Sequence, residues 1–221
     1  MKNVLQLIEL RQREIAGHDL LKQMKNAELL PERRLSFAPK MLYFLMGFKD
    51  ILAQIYRNNP KTTLDKMVNA YCEEDGHHWL WYLSDLEKLG HGICVWGDNI
   101  PEMCKTIWSP SLKANRDLIF SFLYHSRRDP SAETALALIG VLEATGIEFL
   151  KASLTAAEAM KMVNELQYFG KTHYEEELGH SVQPVDLESI RVEESRRESA
   201  SQAVNETFDL FAKAFDCWLH G

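Results

Sequence analysis

The nine residues THYEEELGH, 172–180, contain two histidines and three glutamates. On a helix His173, Glu177 and His180 are spaced i, i+4 and i+7, so they share one face. Imidazole nitrogens and carboxylate oxygens grouped in this way can hold a metal ion. Either this face points to water, or it points inward and holds something. The inward alternative is favoured because the same face continues an apolar stripe formed by Met162, Leu166 and Phe169.

A second interruption of an apolar face lies in EEDGHH, residues 73–78. The helical period places Glu74 or Asp75, and then His78, on the buried side. We assign Glu74 and His78, which are i and i+4 on one helix, to the site; His77 competes with His78 for the inward position. A solvated charged patch is the alternative, and the apolar WLWYL that follows makes it less favourable.

A third polar residue falls in the middle of an apolar stripe on a predicted helix over 130–152. This residue is Glu143, and its stripe is formed mainly by leucines and isoleucines. Burying a lone carboxylate costs several kcal/mol unless it is neutralised, paired or bound to a metal. Glu143 is therefore expected to meet a cation or another polar group.

Three predicted helices thus each place imidazole or carboxylate groups on an apolar face. Buried polar groups left without partners cost ~1–3 kcal/mol each, so these should meet one another or a cation. Carboxylate and imidazole ligands suit iron, or manganese, better than a closed structural zinc site, and no cysteine joins the set. A site with one iron or manganese ion that uses half of the set is an alternative to a site with two. The predicted ligands are Glu74, His78, Glu143, His173, Glu177 and His180.

The composition limits the class of protein. The chain has 221 residues and a net charge of −7, which argues against nucleic acid or an anionic membrane surface as a partner. No apolar run approaches the ~20 residues that span a bilayer. The N-terminal MKNVLQLIELRQREI is amphipathic and is not a secretory signal, so a cytoplasmic protein is expected. The four cysteines are then expected to be reduced thiols, and they are Cys72, Cys94, Cys104 and Cys217.

The hydrophobic periodicity is helical almost throughout. It predicts one all-α domain over 1–221, a bundle of seven to eight helices, and such bundles can hold metal ions in their cores. Thr155 with Glu158 fits a capping box that would begin one of the helices. The aromatic end of the last helix packs either on the domain itself or on a second subunit of a homodimer. The predicted helical segments are 4–29 (interrupted near Gly17), 40–57, 61–89, 100–106, 111–128, 130–152, 156–169, 171–182 and 186–218.

Three stretches resemble one family of helical proteins. HYEEELGH (173–180) resembles the His-x3-Asp/Glu-x2-His motif of the haem-oxygenase-like diiron oxidases and is the most specific of the three. EEDGHHWLWYLSDLEKLG (73–90) resembles a segment of the iron-containing redox branch of this superfamily. IAGHDLLKQMKNAELLPERRLSFAPKMLYFL (15–45) is similar to the superfamily's opening helices. The superfamily includes TenA- and Thi-4-type, PqqC-type and CADD-like proteins, and the resemblance covers most of the chain.

The resemblance implies a seven-helix fold and a non-haem diiron site that activates dioxygen. By this resemblance, His173, Glu177 and His180 correspond to the family's ligands on the late helix. Glu143 corresponds to the carboxylate on the middle helix, and His78 corresponds to the histidine on the early helix. Several members have the early carboxylate further upstream, where this chain has Tyr71 or Val68, so Glu74 is a substitute for it. The substrates implied are small organic acids, amino acids or fatty-acid-like molecules.

Other functions compete with this one. A TenA-like enzyme of cofactor metabolism would use a cysteine nucleophile, for which Cys72 and Cys104 are candidates. A PqqC-like metal-free oxidase would need basic groups around its substrate. A haem protein would use His18 as an axial ligand, with Gly140 and Gly146 allowing close approach of a porphyrin. A bundle that only binds a ligand or partner would contain a buried hydrogen-bond network instead.

Two further sets of residues have open roles. Tyr71, Tyr82 and Tyr124 either line a pocket or belong to the core. Asp85, on the predicted helix over 61–89, either supports the site from behind its ligands or is a surface charge.

Overall fold

The computed structural model describes residues 1–91, 99–180 and 190–220, with only the backbone of His180, and every regular element among them is helical. This confirms the predicted all-α class. Within these ranges no helix has both the length and the apolar character needed to cross a membrane. Short 3-10 turns occupy 31–33, 38–41 and 110–112. The helices are α1 (Lys2–Ile15), α2 (Asp19–Lys25), α3 (Leu42–Ile55), α4 (Thr63–Asp75), α5 (His78–Lys88), α6 (Ile100–Ile107), α7 (Lys113–Arg128), α8 (Ala132–Ala159), α9 (Lys171–His180) and α10 (Glu194–His220).

Helix α8 is the central element of the bundle. It is 28 residues long and packs against α1, α2, α4, α9 and α10, so that several of its faces are buried. The helix begins where the Ser131 hydroxyl accepts a hydrogen bond from the N–H of Thr134, which satisfies one of the free donors of its first turn. The long apolar α8 therefore gives the surrounding helices a common surface to pack on.

The predicted helix over 61–89 is two helices in the structure. α4 ends at Asp75, α5 begins at His78, and the chain turns at Gly76 and His77 between them. Both residues that flank the turn, Asp75 and His78, are buried. The prediction treated 61–89 as one continuous helix. The side-chain directions that it gives are therefore wrong on the two sides of the turn at Gly76 and His77.

The predicted helix over 156–169 is also wrong. α8 continues through Thr155 to Ala159, and the Thr155 hydroxyl donates to the carbonyl of Lys151 within that helix instead of capping a new one. Residues 160–170 form turns, with Lys161 at a positive φ of 62°. The stripe of Met162, Leu166 and Phe169 is thus not helical, although Leu166 and Phe169 are fully buried.

One carboxylate organises the end of this turn segment. Asp85 on α5 is fully buried and accepts hydrogen bonds from three consecutive backbone N–H groups, those of Gln167 at 2.9 Å, Tyr168 at 2.7 Å and Phe169 at 3.0 Å. Burial raises the pKa of the Asp85 carboxyl, and these three donors oppose that shift. Asp85 is therefore a positioning residue that ties α5 to the start of α9, not a surface charge.

Gly170 makes the final turn before α9 possible. A Cβ at this position would lie 2.1 Å from the carbonyl oxygen of Leu166 and 2.5 Å from that of Val163. Both obstacles are backbone atoms, which cannot move aside as a flexible side chain would. The register of α9, and with it the direction of His173, depends on a residue without a side chain here.

We expect Gly170→Ala to destabilise the protein by about 2 kcal/mol or more, because its methyl group would overlap two carbonyl oxygens. Gly146→Ala is the matched control, since nothing lies within 4 Å of a Cβ at Gly146 in α8. That control should be neutral or stabilise by up to about 1 kcal/mol through helix propensity. Urea denaturation measures both, and equal stabilities of the two variants would contradict the account.

We expect Asp85→Ala to lower the free energy of unfolding by about 3 kcal/mol, because three buried N–H donors lose their acceptor. Asp85→Asn, which keeps one acceptor oxygen, should fall between Asp85→Ala and the wild type. Glu87→Gln on the exposed side of α5 is the control and should stay within about 0.5 kcal/mol of the wild type. Amide hydrogen exchange should become faster at 167–169 in Asp85→Ala, and unchanged protection there would contradict the role assigned to Asp85.

Candidate functional site

Two helices bring three of the predicted ligands together. The side chains of His78 on α5 and of His173 and Glu177 on α9 place their ligand atoms within 4.8 Å of one another. The two imidazole rings are 4.3 Å apart between centroids. His78 is 4%, His173 6% and Glu177 9% exposed, so the group lies in the protein interior. Two imidazoles and one carboxylate at this spacing are a plausible ligand set for a single metal ion.

The hydrogen bonding of His173 fixes which nitrogen faces the site. Its Nδ1 lies 3.0 Å from the carbonyl oxygen of Tyr168, and a carbonyl only accepts, so Nδ1 carries a hydrogen. In the neutral ring Nε2 then presents a lone pair, and it lies 3.3 Å from Oε1 of Glu177. A lone pair facing a carboxylate is repulsive unless a proton or a metal cation lies between them. A backbone carbonyl behind the ring is also the usual support of a metal-binding histidine.

His78 has a similar environment. Its Nδ1 lies 3.5 Å from Oδ1 of Asp75, and its Nε2 lies 3.5 Å from Oε2 of Glu176. The buried Asp75 carboxylate favours a hydrogen on Nδ1, which leaves the lone pair on Nε2. The indole of Trp81 stacks on the imidazole at 4.7 Å and restricts its rotation. His78, and not the exposed His77, is therefore the inward histidine of this pair.

Of the two neighbouring carboxylates at the end of α4, Asp75 and not the predicted Glu74 faces His78. Glu74 is exposed, whereas Asp75 is 4% exposed and faces His78. The physical reason is the turn at Gly76: because α4 ends there, Glu74 and His78 do not share a helical face. The signal in the sequence was the glycine directly before the histidine pair, which marks a helix end.

Two further predicted ligands, Glu143 and His180, are not part of this group of three. Glu143 on α8 is half-buried and lies outside the group of three, although its charge reaches the hydroxyl of Tyr71. The side chain of His180 lies outside the described part of the chain, so its role as a ligand stays a prediction.

Two buried tyrosines lie close to the carboxylates of the site. Burial raises the pKa of Tyr71 well above its ordinary value, and the charges of Asp75, Glu143 and Glu177 raise it further. Burial likewise raises the pKa of Tyr168, with Glu177 and Asp75 as the next causes. Both phenols are therefore neutral donors surrounded by carboxylates. Sequence reasoning did not identify Tyr168, because its segment was predicted to be helical.

A cavity of about 80 Å³ opens beside the three ligands. This is several times the volume that one water needs, so a small molecule fits. One end is polar and contains Tyr71 and Asp75 beside the ligands. Of the other two tyrosines considered as pocket residues, Tyr82 belongs to the core and Tyr124 is 54% exposed. The other walls are apolar and are formed by Met41, Phe44, Leu45, Phe48, Leu142, Phe149, Leu150, Phe211, Phe215 and Trp218.

The described residues that line the cavity include no lysine or arginine. The undescribed segments, residues 92–98 and 181–189 and the final glycine, contain no lysine or arginine either. Among the described lining residues, the partners of the carboxylates at the polar end are therefore histidines and tyrosines. A cation bound at this end would interact favourably with these carboxylates.

The residues that the competing functions require lie elsewhere. Cys72 is buried outside the cavity with its thiol 3.5 Å from the carbonyl of Leu52, and burial raises its pKa to about 12. Cys104 is exposed, and Cys217 donates to the carbonyl of Ser111. His18 caps α2, since its Nδ1 accepts the N–H of Leu20 at 3.2 Å. No described cysteine lines the cavity, Cys94 lies outside the described residues, and the ring of His18 is already engaged.

Comparison with known proteins identifies the fold. No family model matches the sequence, and no curated protein matches it. Among solved structures, a TenA homolog from Pseudomonas syringae pv. tomato is similar, with a TM-score of 0.63 and 11% sequence identity over 99% of this chain and 92% of that chain. Such a low identity carries information about the fold alone. The chain therefore has the TenA-like, haem-oxygenase-like all-helical fold that the sequence motifs predicted.

Proposed function

We propose that this chain is a non-haem iron, oxygen-activating oxidoreductase that acts on a small molecule held in the apolar cavity. The observation that carries the proposal is the buried group of His78, His173 and Glu177, whose ligand atoms lie within 4.8 Å of one another beside that cavity. Two histidines and one carboxylate with open positions are typical of non-haem iron(II) oxygenases. Manganese prefers the same ligands, so elemental analysis of the protein must measure both metals.

Each of the two histidines has a neighbour that orients it. The carbonyl of Tyr168 holds His173 by Nδ1, and Asp75 faces Nδ1 of His78. Nε2 of His173 then faces Glu177 and Nε2 of His78 faces Glu176, so each ring presents this nitrogen to a carboxylate of α9. Held by His78, His173 and Glu177, an iron ion would supply the activation of dioxygen and the redox capacity of the site. The apolar walls exclude water from the substrate and leave the cavity open next to the ligands.

The resemblance implies two iron ions. The described residues form two groups of three possible ligands that share His78: the buried group with His173 and Glu177, and a more exposed group with His77 and Glu176. A second ion would need Glu143 and His180 in addition. We therefore propose Asp75 as the early carboxylate, either as a ligand or as the partner of His78, and at least one iron per chain.

A TenA-like enzyme with a cysteine nucleophile is the second candidate, and the structural likeness to a TenA homolog favours it. A nucleophilic thiol must lie beside the substrate and have a lowered pKa. The described cysteines lie outside the cavity, and the pKa values of Cys72 and Cys217 are raised by burial. Among the described residues the ligand group beside the cavity is the feature that favours the metal-dependent function, and Cys94 lies outside those residues.

We expect the wild-type protein, reconstituted with iron(II) under nitrogen and desalted, to retain at least one equivalent of iron. His173→Ala should weaken iron binding by at least about tenfold, because it removes a ligand that is already oriented. His220→Ala, at the exposed end of α10, is the matched control and should bind as the wild type does. Elemental analysis for iron and manganese measures the outcome. A wild-type protein that retains neither metal would defeat the proposal.

The same measurement distinguishes the two candidate carboxylates at the end of α4. Asp75→Asn should weaken iron binding by about tenfold, whereas Glu74→Gln should leave it unchanged, because only Asp75 faces His78. The two substitutions have the same chemistry at adjacent positions. The opposite order of effects would restore Glu74 as the carboxylate of the site.

A further inference from the structure

We infer that His77, His78 and Glu176 form an outer metal site, which takes a divalent ion from solvent and passes it to the buried site. These three residues are called the outer group, and the buried set of His78, His173 and Glu177 is called the inner group. The inference rests on the proposed function for the inner group as the final site. It deepens that function by assigning a route of metal uptake.

The outer group has the geometry of a metal site. Its three ligand atoms lie within 4.8 Å of one another, as those of the inner group do. Nε2 of His78 lies 3.5 Å from Oε2 of Glu176, and the rings of His77 and His78 are 4.9 Å apart between centroids. Each group offers two imidazoles and one carboxylate, so the two groups suit the same ions.

The two groups differ in their exposure to solvent. His77 is exposed and the side chain of Glu176 is 41% exposed, whereas the ligands that belong only to the inner group are each less than a tenth exposed. An ion that arrives from water can therefore bind the outer group while it keeps part of its hydration shell. Direct entry into the inner group would remove that shell in one step, and desolvation of an ion is costly.

The sequence places one outward and one inward ligand side by side on each of the two helices. His77 and His78 are consecutive at the start of α5, and Glu176 and Glu177 are consecutive on α9. Consecutive residues of a helix point about 100° apart, so neighbours can belong to different groups. Because His78 belongs to both groups, an ion that moves inward exchanges two ligands and keeps the third.

Trp81 holds the histidines of both groups in place. Its indole stacks on His78 at 4.7 Å and contacts His77 edge-on at 4.8 Å between ring centroids. The same indole lies 5.9 Å from the ring of His173. One aromatic side chain therefore restricts the rotation of all three imidazoles, so that the spacing of the outer and inner groups is set before an ion arrives.

The test measures the rates of metal uptake and release separately from the affinity. Cobalt(II), whose visible absorption responds to its ligands, is mixed with metal-free protein by stopped flow, and its release into excess chelator is followed afterwards. His77→Ala should slow uptake and release by a similar factor of at least about ten and change the Kd by less than about threefold, because the inner group is intact. Glu176→Gln should have the same effect.

The matched control is Glu175→Gln, the neighbouring carboxylate of α9, which is 59% exposed and pairs with Lys171. This variant should keep both rates of the wild type. An uptake rate that is unchanged in His77→Ala and in Glu176→Gln would overturn the inference. A Kd weakened as much as uptake is slowed, with release unchanged, would make these residues ligands of the final site and would also overturn it.

A variant without the inner group isolates the outer one. His173→Ala combined with Glu177→Gln should still bind cobalt(II), at least about a hundredfold more weakly than the wild type, and the further change His77→Ala should remove this binding. Loss of all cobalt binding in a double variant that melts as the wild type does would contradict the outer site. If the double variant does not fold, the uptake rates of the single variants decide.

The two proposals fail separately. Iron retention in the wild type together with an unchanged uptake rate in His77→Ala would support the iron-dependent function and refute the outer site. Weak cobalt binding that is lost in His77→Ala and kept in His173→Ala, in a protein that retains no iron, would refute the iron-dependent function and support the outer site.

Discussion

The structure depends on one constraint: carboxylates and imidazoles are buried together at one end of a cavity, and the described residues that line it include no lysine or arginine. Glu177 and Asp75 are each less than a tenth exposed, and each faces a histidine nitrogen. For His173 the carbonyl of Tyr168 settles the position of the hydrogen, so that the nitrogen facing Glu177 presents a lone pair in the neutral ring. A cation between these groups removes the repulsion, and a metal ion does so without requiring an imidazolium ion at neutral pH.

The rest of the fold near the site positions these groups. Asp85 holds the turn at 167–169 through three backbone hydrogen bonds, and the middle residue of that turn, Tyr168, supplies the carbonyl that orients His173. Gly170 allows the chain to pass close to two carbonyl oxygens before α9 begins. A buried carboxylate on α5 therefore determines the direction of a histidine on α9, although the two side chains do not share a helix.

Sequence reasoning identified the helical class and the histidines because both depend on local patterns. The spacing of His173 and Glu177 is a property of one helix, and α9 is a helix. The two errors arose where a periodic pattern was continued through a break. Gly76 ends α4, so Asp75 replaces Glu74 as the inward carboxylate. The segment after Thr155 satisfies a capping pattern, yet α8 continues through it, because burial of its alanine-rich face outweighs the local signal. The partners of Asp85 lie about eighty residues away and have no local signature.

The most direct test of the central claim is an anomalous difference map at the iron edge, from crystals soaked with iron(II) under nitrogen. The account predicts a peak between Nε2 of His173, Oε1 of Glu177 and the imidazole of His78, at distances typical of iron ligation. A map without density there, in which His173 and Glu177 bind each other directly through a shared proton, would contradict it.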